Sequence, residues 1–530
     1  MFTGWLTMTL RDGVYGSFWG DMSPCSFCKL PNNEIYGIIP AYSVHKFMYK
    51  EEWHNCYTIQ KIRKGGHRMK KKVLSILLCL AMAFAIVGTI APAKAEAASV
   101  KLNKKKVTIY VGDTYQLTLK GAKGDITWKT SKKAVATVKD GTVTAKKAGK
   151  ATISAKYNGK TYKCKVTVKK RTITKCESAF DAVANMKIGW NLGNYFDANG
   201  NWVQGNTPED YMTCWGNPIV DESLFKKLKE MGIGAVRVPV TWVNHFDEKG
   251  VIDPAWMARV KEVVDWVLAN DMYCIINVHH DTGATEDTMD RWLYASPANF
   301  DKNQELFSVL WAQIADEFKY YGEKLVFEGF NEMLDEDSNW GECTMEAAQA
   351  INEYNQRFVD TVRKAGGYNA TRNLICTTYA AGNFESAVYF YSAPSDTVKD
   401  HIIGQIHFYE PYDLTMDESG GTRKKFTKED GELVDAIIDF AGEAFTTRGN
   451  GRTAIPWIIG EFSITNRNND SARIEWFKRV ITDAKRWGAT CFIWDNGDPE
   501  VMGFIDRVGT EKWYEDIVKA CVEVANEPTN

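Results

Sequence analysis

From residue 187 onward the chain carries eight short, almost wholly apolar runs, separated by helix-length amphipathic segments. The runs are Lys187–Asn191, Ala235–Val240, Tyr273–His280, Leu325–Glu332, Asn373–Tyr379, Ile402–Tyr409, Pro456–Ser463 and Thr490–Asn496. A strand that is apolar at nearly every position is buried on both faces, the condition of a parallel sheet covered by helices. The intervening segments have the 3.6-residue period of helices, most clearly at Asp221–Met231, Pro254–Asn270, Asn299–Tyr321, Met345–Gly366 and Ser471–Trp487. Eight such repeats predict an α/β fold, a (β/α)8 TIM barrel over residues 171–530.

The segment before the barrel is of another kind. Residues 99–169 alternate with period two, as in Val107–Tyr110, Thr114–Leu119, Ile126–Lys129, Ala151–Ala155 and Lys163–Val168. Gly112-Asp113, Lys123-Gly124 and Asn158-Gly159 supply turns, so a small all-β sandwich is expected over 96–170. The stretch W-K-T-S-K-K-A-V-A-T-V-K-D-G-T-V-T-A-K-K-A-G-K-A-T-I, Trp128 to Ile153, closely resembles the bacterial immunoglobulin-like group 2 module. That resemblance implies a structural, core role for Trp128.

Charge separates the parts. The formal net charge of −2 hides 19 Lys against 4 acidic residues in 96–170. Nucleic acid is one class of partner for such a surface, but the sequence upstream reads as an export signal. Met69 opens Lys70-Lys71-Lys72, an apolar run follows from Val73 to Ile90, and Ala93-Lys94-Ala95 places small residues where a signal peptidase cleaves. The apolar run is just long enough to be a membrane anchor instead, but the Ala-rich composition and the cleavage site favour removal. A signal peptide over 69–95 is therefore expected, with a secreted or cell-surface protein, no membrane association after its removal and no nucleic-acid partner. The Lys excess then fits either an anionic cell-surface polymer or a solvated spacer. Residues 1–68 precede that signal without helical or strand period and read as an upstream extension translated in error, with Met69 the true start. Their Cys25-x-x-Cys28 and His54-x-Cys56 lack a second matching pair for a zinc site. The eight cysteines after Ala95 are widely and irregularly spaced, and no disulfide framework is expected.

In a parallel barrel the chemistry lies where strands end. Here the runs end in Asn191, Arg237, His279-His280, Asn331-Glu332, His407-x-Tyr409, Glu461 and Trp494-x-Asn496; only the fifth, at Tyr379, is weaker. A terminal carboxylate is costly to bury and does nothing for packing. Two of them, on the fourth and seventh runs, could flank one glycosidic bond across a barrel mouth. His279-His280 could also be metal ligands, but adjacent strand residues point to opposite faces, which argues against one shared ion. Asn191 and Asn194 either serve the site or satisfy backbone groups in the first loop. Trp202, Trp215, Trp242, Trp292, Trp340 and Trp494 fall near strand ends, where flat rings suit sugar faces, whereas Trp256, Trp266, Trp311, Trp476 and Trp487 fall in helices and read as core.

The segment 176–526 resembles glycoside hydrolase family 5, especially its endoglucanase-rich subfamily 4. The matching stretches are G-W-N-L-G-N at 189–194, C-W-G-N-P at 214–218, V-R-V-P-V-T-W at 236–242 and N-V-H-H-D at 277–281. They continue with F-E-G-F-N-E at 327–332, H-F-Y at 407–409, G-E-F at 460–462 and W-D-N-G at 494–497. The resemblance implies Glu332 as acid/base and Glu461 as nucleophile of a retaining double displacement on a β-glucan, with no cofactor and no metal. It implies that Arg237 and Tyr409 hold the nucleophile and lower its pKa, and that Asn331 binds the sugar 2-hydroxyl. It further implies that His279, His280 and His407 contact substrate or tune the acid, and that Trp494 lies under the reactive sugar. Met333 departs from the proline common in the family. Cellulose-type β-1,4-glucan is the expected substrate, with xyloglucan, mixed-linkage glucan or mannan as alternatives. A non-catalytic carbohydrate-binding barrel is the alternative class, and the presence of both glutamates argues against it.

Overall fold

A computed structural model describes residues 100–285, 288–416, 423–446 and 454–528. The expected signal peptide and the stretch before it lie outside the described residues.

The N-terminal module is a β-sandwich. One sheet orders its four strands as Lys106–Tyr110, Lys160–Lys169, Gly149–Tyr157 and Thr127–Thr130; a second has three, Thr114–Gln116, Thr142–Ala145 and Ala136–Lys139. Alternate residues such as Ala151, Ile153, Ala155, Cys164, Val166 and Val168 are buried while Lys150, Lys156, Lys163 and Lys165 face out, the period-two pattern made physical. Ala136–Lys139 pairs with Thr142–Ala145 in an antiparallel hairpin. Its turn is Asp140-Gly141, with φ of 48° and 85°, the left-handed pair that a two-residue hairpin requires. Trp128 is half-buried, less enclosed than a core tryptophan would be.

The second unit is a closed barrel of eight parallel strands in sequence order. They are β1 Ile188–Leu192, β2 Ala235–Val238, β3 Tyr273–Ile276, β4 Leu325–Glu328, β5 Leu374–Thr377, β6 Ile402–Phe408, β7 Trp457–Phe462 and β8 Thr490–Asp495. β8 closes on β1 through five consecutive partners, Ile188↔Cys491 to Leu192↔Asp495. Seven of the eight strands are shorter than their apolar runs, because those runs continue into the loops that carry polar groups; β1 equals its run in length, shifted by one residue.

Two apolar layers hold the barrel. Outside, the strands pack against helices whose inward faces carry residues such as Leu224, Phe225 and Leu228 of Glu222–Met231, or Phe307, Leu310, Trp311 and Ile314 of Pro297–Phe318. Helix Glu222–Met231 starts on Asp221, whose side chain accepts from Ser223 N, and stops at Gly232 with φ 99°. Such a cap contributes about 1 kcal/mol, and each fully buried Leu or Phe roughly 1.5–3 kcal/mol. Inside, Ala235, Ile275, Val326, Ile375, Ile403, Ile458 and Phe492 fill the lower barrel, and helix Ala179–Met186 buries Ala179, Ala182, Val183 and Met186 against them. Gly189 is part of that fit, since a Cβ there would lie 2.0 Å from the Phe492 ring. With the bottom plugged, the polar side chains collect at the upper ends of the strands. All eight cysteines from Cys164 to Cys521 are free and seven are buried, among them Cys274, Cys376 and Cys491 of the apolar runs. Of the helical tryptophans, Trp256, Trp311 and Trp476 are fully buried, while Trp266 and Trp487 are partly so.

Candidate active site

At the C-terminal ends of the strands lies a cleft of about 620 Å³. It is lined by His279, His280, Asn331, Glu332, His407, Tyr409, Glu461 and Trp494, together with Trp340, the turn Ala380–Gly382 and Tyr412. Eight of the ten residues singled out in the sequence thus share one surface. Arg237 is sealed immediately behind it. Asn194 lies in the first loop, with φ 55° and its backbone N–H donated to Asp197, and does not line the cleft.

The guanidinium of Arg237 organises the floor. Its Nε and Nη2 grip Glu328 at 2.6 and 2.7 Å, Nη1 donates to Glu461 Oε1 at 2.6 Å and Asn191 Oδ1 at 3.0 Å, and Nη2 also donates to Asn331 Oδ1 at 2.7 Å. All five donors of the fork are used. Glu328, on β4, escaped the sequence reading; a carboxylate inside a wholly buried strand was itself the signal. Arg237, together with the Asn277 amide at 2.9 Å, overcomes burial and holds its pKa below the usual carboxylate value. Asn191 ties the floor to the barrel wall, donating to the carbonyls of Gly460, Phe492 and Ile493.

Glu461 sits on β7 and is almost buried, accepting from Arg237 and from Tyr409 Oη at 3.0 Å. Burial raises its pKa despite Arg237 and His407, so the net shift is opposite to the lowering expected from the cation alone. Glu332 stands three residues past Gly329, beyond the end of β4, with a fifth of its side chain exposed. His407 Nδ1 lies 2.6 Å from Glu332 Oε1 and 3.6 Å from Glu461 Oε2. Burial pushes the Glu332 carboxyl up to about 7 and the His407 ring down to about 4. Both shifts have the same origin: the neutral pair is cheaper than the ion pair away from water, so the shared proton rests on Glu332.

His279 and His280 do not lie on a strand, because β3 ends at Ile276, and their rings converge at 4.5 Å instead of facing apart. The alternating-face expectation fails for that reason. Asn277 Oδ1 accepts from Val240 N, so its Nδ2 is the donor to His279 Nδ1, and the neutral His279 ring carries its proton on Nε2. Two sets of potential ligand atoms, Asp197/His279/His280 and Glu332/His407/Glu461, each fall within 4.8 Å. His279 would bring a proton to the first set instead of a lone pair, and the second set is tied up by its own hydrogen bonds. Trp494 stacks parallel to His279 at 6.0 Å and 4°. Trp242 and Trp292, which follow strand ends, brace the loops: Trp242 Nε1 donates to Asn277 O, and Trp292 Nε1 to the buried Asp281. Trp202 and Trp215 form a tilted pair at 6.3 Å, with Trp215 edge-on to His280.

A (β/α)8 barrel with two glutamates facing each other over an aromatic cleft, one with its pKa raised to about 7 by burial and one held by an arginine, defines a glycoside hydrolase acting on O-glycosyl bonds. Residues 196–500 match the model of the cellulase family, glycosyl hydrolase family 5, and residues 96–168 match the bacterial Ig-like domain, group 2. The chain belongs to glycosyl hydrolase family 5. Among its relatives is endoglucanase A of Clostridium longisporum, 33% identical over 351 residues, which are 64% of this chain and 65% of that enzyme. Two solved structures cover 67% of this chain and the whole of their own, each with a TM-score of 0.60. One, 34% identical, is the family 5 enzyme PbGH5A of Prevotella bryantii, a point mutant in complex with a xyloglucan tetradecasaccharide. The other, 36% identical, is a GH5-4 broad-specificity endoglucanase of Ruminococcus champanellensis with cellotriose.

Proposed function

We propose that this chain is an exported, retaining endo-β-1,4-glucanase in which Glu332 is the acid/base and Glu461 the nucleophile. One observation carries the mechanism: an oxygen of Glu332 and an oxygen of Glu461 lie within 4.8 Å of each other. Retaining hydrolysis uses carboxyls about 5 Å apart, and inverting hydrolysis about 6.5–9.5 Å to admit a water. Glu461 attacks the anomeric carbon while Glu332 gives its proton to the departing oxygen; Glu332 then takes a proton from the water that releases the sugar. Asn331, its Oδ1 held by Arg237, presents its amide NH2 to the 2-hydroxyl. The product of a cellooligosaccharide, followed by proton NMR in the first minutes, is expected as the β-anomer. An initial α-anomer would overturn the mechanism.

The pH dependence follows from the acid. Glu332 must be protonated to act, and its pKa is raised to about 7. Above that, kcat/KM on an unactivated glucan should fall about tenfold per pH unit. An alkaline limb already complete near the ordinary carboxylate value would show that Glu332 is not the acid.

A second substrate reading, xyloglucan, is favoured by the tetradecasaccharide bound to a 34% identical neighbour. Rates on carboxymethylcellulose, xyloglucan, lichenan and mannan rank the alternatives. Export rests on the Met69–Ala95 pattern and is tested by the N-terminus of the protein recovered outside cells, expected at Glu96. The Lys-rich module suits an anionic wall polymer, and salt-resistant retention on purified wall material is its test.

A further inference from the structure

The fifth strand end, the weakest in the sequence, holds the most strained backbone around the cleft. Ala380 (φ 55°, ψ 18°) and Ala381 (φ 47°) are consecutive left-handed residues, where alanine pays for its Cβ. Both are buried, and both line the cleft. Such strain persists only where the surroundings over-determine it.

The hydrogen bonds of this turn show what holds it. Thr378 Oγ1 closes it onto Gly382 O at 2.9 Å, and Ala381 N and Gly382 N donate back to Thr378 O and Tyr379 O. The left-handed twist frees Ala380 N to reach out of the turn, to Met333 O at 3.1 Å. Met333 follows Glu332 directly. On the other flank Asn331 N donates to Val278 O at 2.9 Å, so the main chain is pinned on both sides of Glu332. Tyr379 makes a second tie: its buried hydroxyl donates to Asn339 O at 2.7 Å and accepts from Asp335 N at 3.2 Å. That loop continues into Trp340, half-exposed on the cleft wall.

We propose that Tyr379–Ala381 is a positioning element that fixes the main chain of Glu332 and the Trp340 loop together, so that proton donation and the cleft wall keep one geometry. The proposal rests on the reading of Glu332 as the acid. It places Tyr379 as a positioning residue: its hydroxyl holds Asp335 and Asn339, on the chain that continues from Glu332 to Trp340, and it does not line the cleft.

Leaving-group dependence separates this from a general structural role. Protonation matters for phenyl β-cellobioside, whose leaving group is basic, and hardly at all for the 2,4-dinitrophenyl glycoside, whose leaving group departs unaided. Glu332→Gln serves as the reference and should lose kcat/KM on the phenyl substrate alone. Tyr379→Phe removes two hydrogen bonds and no bulk. It is expected to lower kcat/KM for the phenyl substrate about tenfold while the dinitrophenyl value stays within about twofold. Equal losses on both substrates, or none, would overturn the proposal. If Glu332→Gln itself shows no such selectivity, it is the reading of the site that fails. Should Tyr379→Phe not fold, Thr378→Val, which keeps the side-chain shape but removes the Oγ1 hydrogen bond that closes the turn onto Gly382 O, should show the same selectivity, and its absence would count equally against the clamp.

Discussion

Glu461→Gln is expected to reduce turnover of a soluble β-glucan by at least about four orders of magnitude, the scale on which a covalent nucleophile is missed. The amide has the shape of the carboxylate but no charge with which to attack the anomeric carbon. Folding should change little. Arg237 keeps Glu328 as its counter-ion through two hydrogen bonds, so removing the Glu461 charge leaves a neutral pair and no orphaned cation. Chemical rescue distinguishes the two glutamates. In Glu461→Ala, azide enters the vacated space and attacks once, giving an α-glycosyl azide. In Glu332→Ala, the covalent intermediate still forms, and azide attacks it from the opposite side to give the β-product. The measurement is product configuration by NMR; a β-azide from the Glu461 variant, or near-native turnover of Glu461→Gln, would contradict the assigned roles.

Much of this architecture was legible because burial on both faces leaves a strand few sequence options. All eight strands lie within or at the edges of apolar runs, and their order around the barrel follows from strand–helix alternation. Strand ends were less legible. Phe330 and Val278 extend the apolar pattern past the last ladder residues, so Glu332 and the His279-His280 pair looked like strand residues although they stand on loops. For the same reason strand alternation could not decide whether the two histidines share an ion. Glu328 was hidden by proximity to Glu332 in one motif. A fully buried Arg237 needs its charge balanced, and seeing that Glu461 alone does not fill a five-donor fork would have pointed to it. Trp242 and Trp292 show a different limit: position after a strand cannot tell a sugar platform from a brace, because an indole N–H aimed at a carbonyl or at Asp281 is a tertiary fact. The Tyr379–Ala381 turn had no sequence signature at all, since alanine is no conventional left-handed residue.

Arg237→Met should be the most destabilising single change in the site, about 3–5 kcal/mol by chemical denaturation at pH 7. It strands Glu328, which is wholly buried, with the Asn277 amide as its one remaining hydrogen-bond partner among the described residues. The pH dependence has a defined sign. With Arg237 present, the folded pKa of Glu328 is depressed, so its contribution is present above the unfolded value and fades as pH falls through the folded one. Without Arg237, burial dominates and the folded pKa rises. The carboxyl then favours folding when protonated, and the deficit relative to the parent should shrink between pH 7 and pH 5. A second substitution separates stability from function. In Arg237→Met/Glu328→Gln the uncompensated charge is gone, and part of the lost stability should return, a non-additivity expected for groups in direct contact. Activity should not return with it, because Glu461 and Asn331 still lack the donors that aim them. A single variant within about 1 kcal/mol of the parent, or a double variant no more stable than the single, would show that the floor of this site is not held by the Arg237–Glu328 pair.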